Sequence, residues 1–158
     1  MNIGDKFPDL LGVDANGKEI KLSDYPGKMF IIYFYPKDNT PGCTAEACSF
    51  RDNYSVFEKM GYQIIGVSKD SPASHDKFAA KFSLQFPLVA DTDHKLCELA
   101  GVWKQKKMAG REYMGIVRTT FVTDADGVVT DVVEKVNTKT ASEQLFGILD
   151  NRYNPNPA

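Results

Sequence analysis

The chain has 158 residues, 42% of them hydrophobic and 25% charged, the composition of an ordinary globular protein long enough for one well-buried core. Nineteen basic against 21 acidic residues give a net charge of −2, and no Lys/Arg run exceeds Lys106-Lys107, so the footprint of a nucleic-acid-binding surface is missing and small or protein partners are expected. The longest apolar run, Met29 to Tyr35, is far too short to span a bilayer, and Met1 to Pro8 holds no apolar leader, which predicts a cytoplasmic protein without a membrane association, whose three cysteines serve transient redox chemistry and not a disulfide framework.

In chain order, Leu10–Val13 and Glu19–Leu22 flank Asp14-Ala-Asn-Gly17, where Asn-Gly is a strong hairpin signal. Met29–Tyr35 is a continuous apolar and aromatic run stopped by Pro36, the pattern of a central strand buried on both faces. A helix capped by Thr40 follows, Gly61 ends it, and Tyr62–Ser68 is a second buried strand, completing a βαβ unit. A helix from the Ser71-Pro72 cap to about Phe82 precedes a short strand, Phe86–Ala90, and a short helix, Lys95–Ala100. After an irregular Lys/Met/Gly stretch, Val117–Thr123 and Val128–Val133 are joined at Asp124-Ala-Asp-Gly127 as a hairpin, and Thr138–Leu149 closes the fold as a helix. The pattern predicts one domain over residues 1–152, a thioredoxin-like α/β sandwich with a central mixed sheet and an added N-terminal β-hairpin; residues 153–158 read as a loose tail.

The chemistry concentrates between Pro36 and Cys48, past the C-terminal end of the first central strand, where open α/β sheets place their sites. Thr40 suits the N-cap because its hydroxyl can accept a bond from a first-turn amide, and Pro41 suits the first helical position, where no amide is needed. Cys43 is then the third helical residue, where the positive helix end and free N–H groups favour a thiolate over a thiol. Projection at 3.6 residues per turn puts Cys43, Ala47, Phe50, Tyr54 and Phe57 on one apolar face, and Cys48 beside Thr44, Arg51 and Ser55 on a more polar one. On an intact helix the two Cα atoms are roughly 8.6 Å apart, beyond the ~7 Å limit for a disulfide. If they pair, the helix must unwind.

Other residues carry less. No metal site is expected, since one Cys-x4-Cys with a distant Cys97 and separated His75 and His94 is not a ligand set. Cys97, among Leu96, Leu99 and Ala100, reads as inert packing, and His75, beside Phe78 and Phe82, as a satisfied core or boundary imidazole. Asp91-Thr-Asp93 resembles the start of a calcium loop, but Leu96 stands where the glycine belongs, which leaves helix capping. Glu46 reads as a favourable first-turn carboxylate. Arg118, at the start of an apolar strand, either snorkels outward or holds an anion, and the residues alone leave this open.

Pro36-x3-Thr40-x2-Cys43 resembles the active-site motif of peroxiredoxins, and its extension from Tyr33 to Cys48 is similar to the bacterioferritin-comigratory-protein, or PrxQ, subgroup. Gly66-Val-Ser68, Phe86-Pro-Leu88 and Arg118-Thr-Thr-Phe-Val122 extend the resemblance over all but the tail. It implies thiol-dependent reduction of hydrogen peroxide and organic hydroperoxides, thioredoxin as the usual reductant, a monomer, and no metal, haem or flavin cofactor. It also implies that Cys43 is the peroxidatic cysteine, Cys48 the resolving one, Thr40 and Arg118 the polar groups around the peroxide, and Pro36 a shield of the pocket; Cys97 matches no resolving position of the subgroup. Two rivals stand beside this reading: a thiol–disulfide oxidoreductase on the same fold, which would want a second cysteine where Thr40 stands, and a redox-regulated binding protein signalling through helix unwinding.

Overall fold

The computed structural model describes residues 1–153. In chain order it contains β1 (Leu10–Val13), β2 (Glu19–Lys21), β3 (Met29–Phe34), α1 (Pro41–Asp52), α2 (Tyr54–Lys59), β4 (Tyr62–Ser68), α3 (Pro72–Phe82), β5 (Leu88–Ala90), α4 (Lys95–Ala100), β6 (Trp103–Met108), β7 (Arg111–Ile116), β8 (Thr119–Thr123), β9 (Val129–Val133) and α5 (Ala141–Tyr153). Five strands form one sheet in the order β5-β4-β3-β8-β9, parallel through β3, β4 and β5 and antiparallel through β8 and β9. This is the mixed sheet of a thioredoxin-like α/β sandwich.

The period-two alternation of β3 divides the core. Phe30, Ile32 and Phe34 pack on one face with Leu11, Ile20, Leu96 and Cys97, while Ile31, Tyr33 and Tyr35 pack on the other with Phe50, Phe57, Phe78 and Leu145. Both faces of the central strand are therefore covered, which is why its sequence is apolar without interruption. Among the described residues no helix is long and apolar enough to cross a membrane.

Several expectations change in detail. The N-terminal hairpin forms, but as a separate two-stranded sheet that buries Leu11 and Ile20 against the central sheet without hydrogen-bonding to it. The stretch after α4 is not irregular: β6 and β7 pair antiparallel around Ala109 and Gly110, both at positive φ. Most of its side chains face solvent, so no apolar alternation marks it in the sequence, and a turn led by alanine at φ +52° lacks the usual Asn-Gly signature. The helix after Thr40 breaks at Asn53, whose side-chain amide donates to the Ser49 carbonyl at 2.8 Å. Phe57 is fully buried all the same, on α2. Ser71 caps α3 as expected, accepting the Ser74 amide at 3.2 Å, and the expected Thr138 helix is a short 3-10 turn followed by α5. The tail from 154 onward lies outside the described residues.

Gly66 fixes one close contact beneath the site. A Cβ there would lie 2.7 Å from Leu88 Cδ2 and 3.0 Å from the Tyr33 ring. The glycine leaves room for that ring, which packs tilted against Phe50 at a centroid distance of 4.8 Å. Gly66→Ala is expected to destabilise the fold by about 1–3 kcal/mol through overpacking, read as a fall of several degrees in Tm by calorimetry. An unchanged Tm would show that the Tyr33 ring yields freely.

Candidate active site

The parallel run of β3, β4 and β5 brings their C-terminal ends to one edge of the sheet, and antiparallel β8 begins at that same edge. Because Phe34 pairs with Thr119, the residue before β8 is set against the loop that follows β3. Arg118 therefore lies outside the strand, one residue before it, and reaches the first turn of α1. The thiol and the cation, 75 residues apart in sequence, meet through strand register.

Cys43 is 1% exposed, on the first turn of an unbroken α1. Arg118 Nη2 donates to its Sγ at 3.3 Å, and Nη1 donates to Glu46 Oε1 at 2.6 Å. Gly42 makes this approach possible, since a Cβ there would sit 3.2 Å from Arg118 Nη2. A cation beside a helix N-terminus is electrostatically unfavourable by itself. Glu46 supplies the compensation, and negative charge on the sulfur adds to it. Burial alone would weaken the guanidinium charge, but the carboxylate and the thiol group more than offset this and raise the Arg118 pKa.

Glu46 is the residue that sequence reasoning misplaced. It is not in the first turn but in the second turn of α1, fully buried, paired with Arg118 on one oxygen and without a partner on Oε2 among the described residues. Burial pushes its pKa up to about 7, and the Arg118 charge and hydrogen bond hold it from rising further. The available signal was its position three residues after Cys43, on the inward face of the helix. Tyr33 lies in the same apolar cluster as Cys43. Burial, then the nearby Glu46, raises its pKa well above the ordinary tyrosine range, so it stays neutral.

Thr40 occupies the N-cap position, with extended backbone, yet its hydroxyl does not cap the helix. It donates to the Lys37 carbonyl at 2.9 Å instead, which turns the loop on itself and leaves the oxygen able to accept from a bound hydroxyl group. The first-turn N–H groups of α1 are likewise unused within the helix. Pro36 is half-buried at the start of this loop. Cys48 is partly exposed on the same helix, and Cys43, Cys48 and Cys97 are all free thiols.

Cys97 is fully buried on the opposite face of the sheet, and desolvation first, then the Asp91 carboxylate, raises its pKa far above the ordinary thiol range. It is an inert core thiol, as its apolar neighbours suggest. Asp91 accepts the amides of Leu96 and Cys97 at 3.1 and 2.8 Å, the helix-capping role expected of it. His75 is wholly buried, with both ring nitrogens bonded.

Comparison with known proteins agrees with this geometry. The AhpC/TSA family matches residues 3–132. Peroxiredoxin Bcp of Bacillus subtilis is 50% identical over 139 residues, 88% of each chain, and Peroxiredoxin Bcp of Escherichia coli is 41% identical over 149 residues, 94% of this chain and 96% of that one. A solved structure of the Xanthomonas campestris bacterioferritin comigratory protein, from work on its alkyl peroxide reduction activity, superposes with a TM-score of 0.81 at 38% identity over 89% of each chain. A thiol on the first turn of a helix past the end of a central strand, an arginine brought to it by the neighbouring strand, and these likenesses along nearly the whole chain agree: the chain belongs to the AhpC/TSA family, among its Bcp and PrxQ peroxiredoxins.

Proposed function

We propose that the protein is a thiol-dependent peroxidase that reduces hydrogen peroxide and organic hydroperoxides through Cys43. The observation that carries this reading is the Arg118 guanidinium, held by Glu46 and donating to the buried Cys43 sulfur. The Cys43 thiolate attacks one peroxide oxygen; the S–O bond forms as the O–O bond breaks, and the departing oxygen leaves with the electron pair and takes up a proton as water or an alcohol. Charge developing on that oxygen meets Arg118 and the first-turn amides, donors already in place before reaction, while the Thr40 oxygen can accept from the hydroxyl of the bound hydroperoxide. Pro36 covers the loop side of the pocket.

Cys43 is left as a sulfenic acid. Cys48 is the resolving thiol: its sulfur attacks Cys43 Sγ, water leaves, and an intramolecular disulfide results, which a dithiol reductant opens by exchange. Thioredoxin is the reductant we assign, and the working form is a cytoplasmic monomer built as a single domain over residues 1–152. Support for these assignments comes from the family. A thiol–disulfide oxidoreductase gains no support, since Thr40 stands where its second cysteine would be needed.

Stopped-flow peroxide consumption with a thioredoxin system tests the assignment. Cys43→Ser is expected to abolish it, while Cys48→Ser should lose turnover yet still form one sulfenic acid per chain, measured by dimedone labelling and mass spectrometry. Retained peroxidase activity in Cys43→Ser would refute the nucleophile. Arg118→Lys cannot serve Glu46 and the reacting atoms with one fork, so the second-order rate of Cys43 oxidation should fall roughly a hundredfold; a fall of less than threefold would remove Arg118 from the transition state.

Glu46 gives a signed pH effect. Its folded pKa, about 7, lies above the ordinary 4.5, so the folded state binds more protons between these values, and folding stability from this group is present at low pH and is lost as pH rises through 7. The Tm difference between wild type and Glu46→Gln should therefore shift against wild type between pH 5 and pH 8. A difference independent of pH would contradict the burial-raised carboxyl.

A further inference from the structure

The loop that delivers Thr40 and Cys43 is fastened at Asp38, a residue the chemistry above does not use. Asp38 is 6% exposed, unusual for a carboxylate in a surface loop. Its Oδ1 accepts the Tyr35 hydroxyl at 2.6 Å, and its Oδ2 accepts the Ser74 hydroxyl at 2.8 Å and meets His75 Nδ1 at 2.6 Å. His75 Nε2 faces the Val89 carbonyl at 3.0 Å, and since a carbonyl can only accept, that nitrogen carries a hydrogen. The imidazole thus spans from the loop to β5. The Asp38 amide donates in turn to Asp70 Oδ2 at 2.8 Å, itself held by the Ser68 hydroxyl at 2.7 Å. Asp38, Asp70 and His75 offer ligand-type atoms within 4.8 Å of one another, but those atoms are committed to these bonds, so the cluster is a fastening and not a metal cage.

Asn39, the next residue, sits at φ +59°, in the left-handed region that asparagine enters more readily than most non-glycine residues, and it turns the loop from Asp38 toward Thr40. At the other end of the motif, Ser49 and Ser142 exchange hydrogen bonds that tie α1 to α5: Ser49 Oγ to Ser142 Oγ at 3.0 Å, and Ser142 Oγ to the Ser49 carbonyl at 2.8 Å. Arg51 donates to the Phe82 carbonyl at 2.9 Å and fixes the same end against α3. Between the two fastenings lie residues 39–48, which hold Thr40, Cys43 and Cys48.

We infer that the Asp38–His75 network is the fixed N-terminal boundary of the segment that unwinds for disulfide formation, and that Asp38 and His75 are positioning residues that divide the protein between its peroxide-reducing and disulfide-forming conformations. The inference rests on the assignment of Cys43 and Cys48 as the disulfide pair. With the network intact, the loop holds Thr40 and the first turn of α1 against Arg118. With it loosened, the loop that presents the first turn of α1 loses its anchor and the unwound population grows. Oxidation of Cys43 then slows while capture by Cys48 quickens, a split that simple loss of stability does not produce.

Single-turnover quench-flow with hydrogen peroxide, followed by peptide mapping of the Cys43 sulfenic acid and the 43–48 disulfide, measures the two steps separately. Asp38→Asn removes the carboxylate charge and puts an amide donor where the Ser74 hydroxyl needs an acceptor; Ser74→Ala removes one bond and leaves the Ser71 cap of α3 in place. Cys43 oxidation is expected to slow about tenfold in Asp38→Asn, the equivalent of one lost charge-assisted bond, with disulfide formation faster than wild type. Ser74→Ala should move both steps in the same directions by less. Wild-type oxidation rates in both variants, or both steps slowing together with Tm, would overturn the inference; should Asp38→Asn not fold, as read by circular dichroism, Ser74→Ala decides by the same criteria. A wild-type protein whose Cys43 oxidises without forming the 43–48 disulfide refutes the pairing itself, and the inference with it.

Discussion

The arrangement turns on one cation held where physics disfavours it. Arg118 lies against the positive end of α1, partly desolvated, and only two groups reward it: Glu46 at 2.6 Å and the Cys43 sulfur at 3.3 Å. The rest of the site follows from satisfying that charge. Register between β3 and β8 delivers the arginine, Gly42 leaves it room, and Glu46 must be buried to reach it. The cation that faces the sulfur is thus the same one whose pairing with Glu46 completes the packing. Fold stability and reactivity are here two consequences of the same contact.

Much of this was legible in the sequence where local rules govern. The uninterrupted apolar runs of β3 and β4, the Ser71 cap and the Asp124–Gly127 hairpin depend on neighbours close in the chain, and the structure has them within one or two residues. The position of Cys43 at a helix start was legible for the same reason. Glu46 was not. A carboxylate near a helix start reads as dipole-satisfying wherever it points, but α1 begins at Pro41 and puts Glu46 in its second turn, and nothing local tells that a cation 72 residues away will draw it inward. Thr40 failed in the opposite sense: it has the right identity and backbone for a cap, but the Lys37 carbonyl competes for its hydroxyl. The β6–β7 hairpin escaped because its strands bury little, so they carry no alternation to read.

His75 shows how a residue can be described correctly and still be undervalued. A wholly buried, satisfied imidazole is what its apolar neighbours suggest, and the structure agrees. Its partner, however, is a loop carboxylate five residues before the reactive thiol, and that link joins sheet, helix and loop at one point. Satisfying a buried polar group and fixing the geometry of a site are then the same act, since every bond that offsets desolvation also removes a degree of freedom from the loop.

The same economy explains how the site can open. Two thiols on an intact helix stand roughly 8.6 Å apart by helical geometry, so α1 cannot persist when they join. What releases it is the reaction itself. On the proposed mechanism, Arg118 bridges Glu46 and the attacking sulfur before reaction, and the first turn of α1 is held from within. Oxidation of Cys43 to a sulfenic acid, as proposed, would alter the sulfur that Arg118 faces and leave the guanidinium to Glu46, whose own carboxyl is pushed up to about 7 by burial. Unwinding residues 39–48 would return these groups to water. On that proposal the chemical step weakens the interaction that positioned it, and the intact α1 with its free thiols is the state that meets the peroxide.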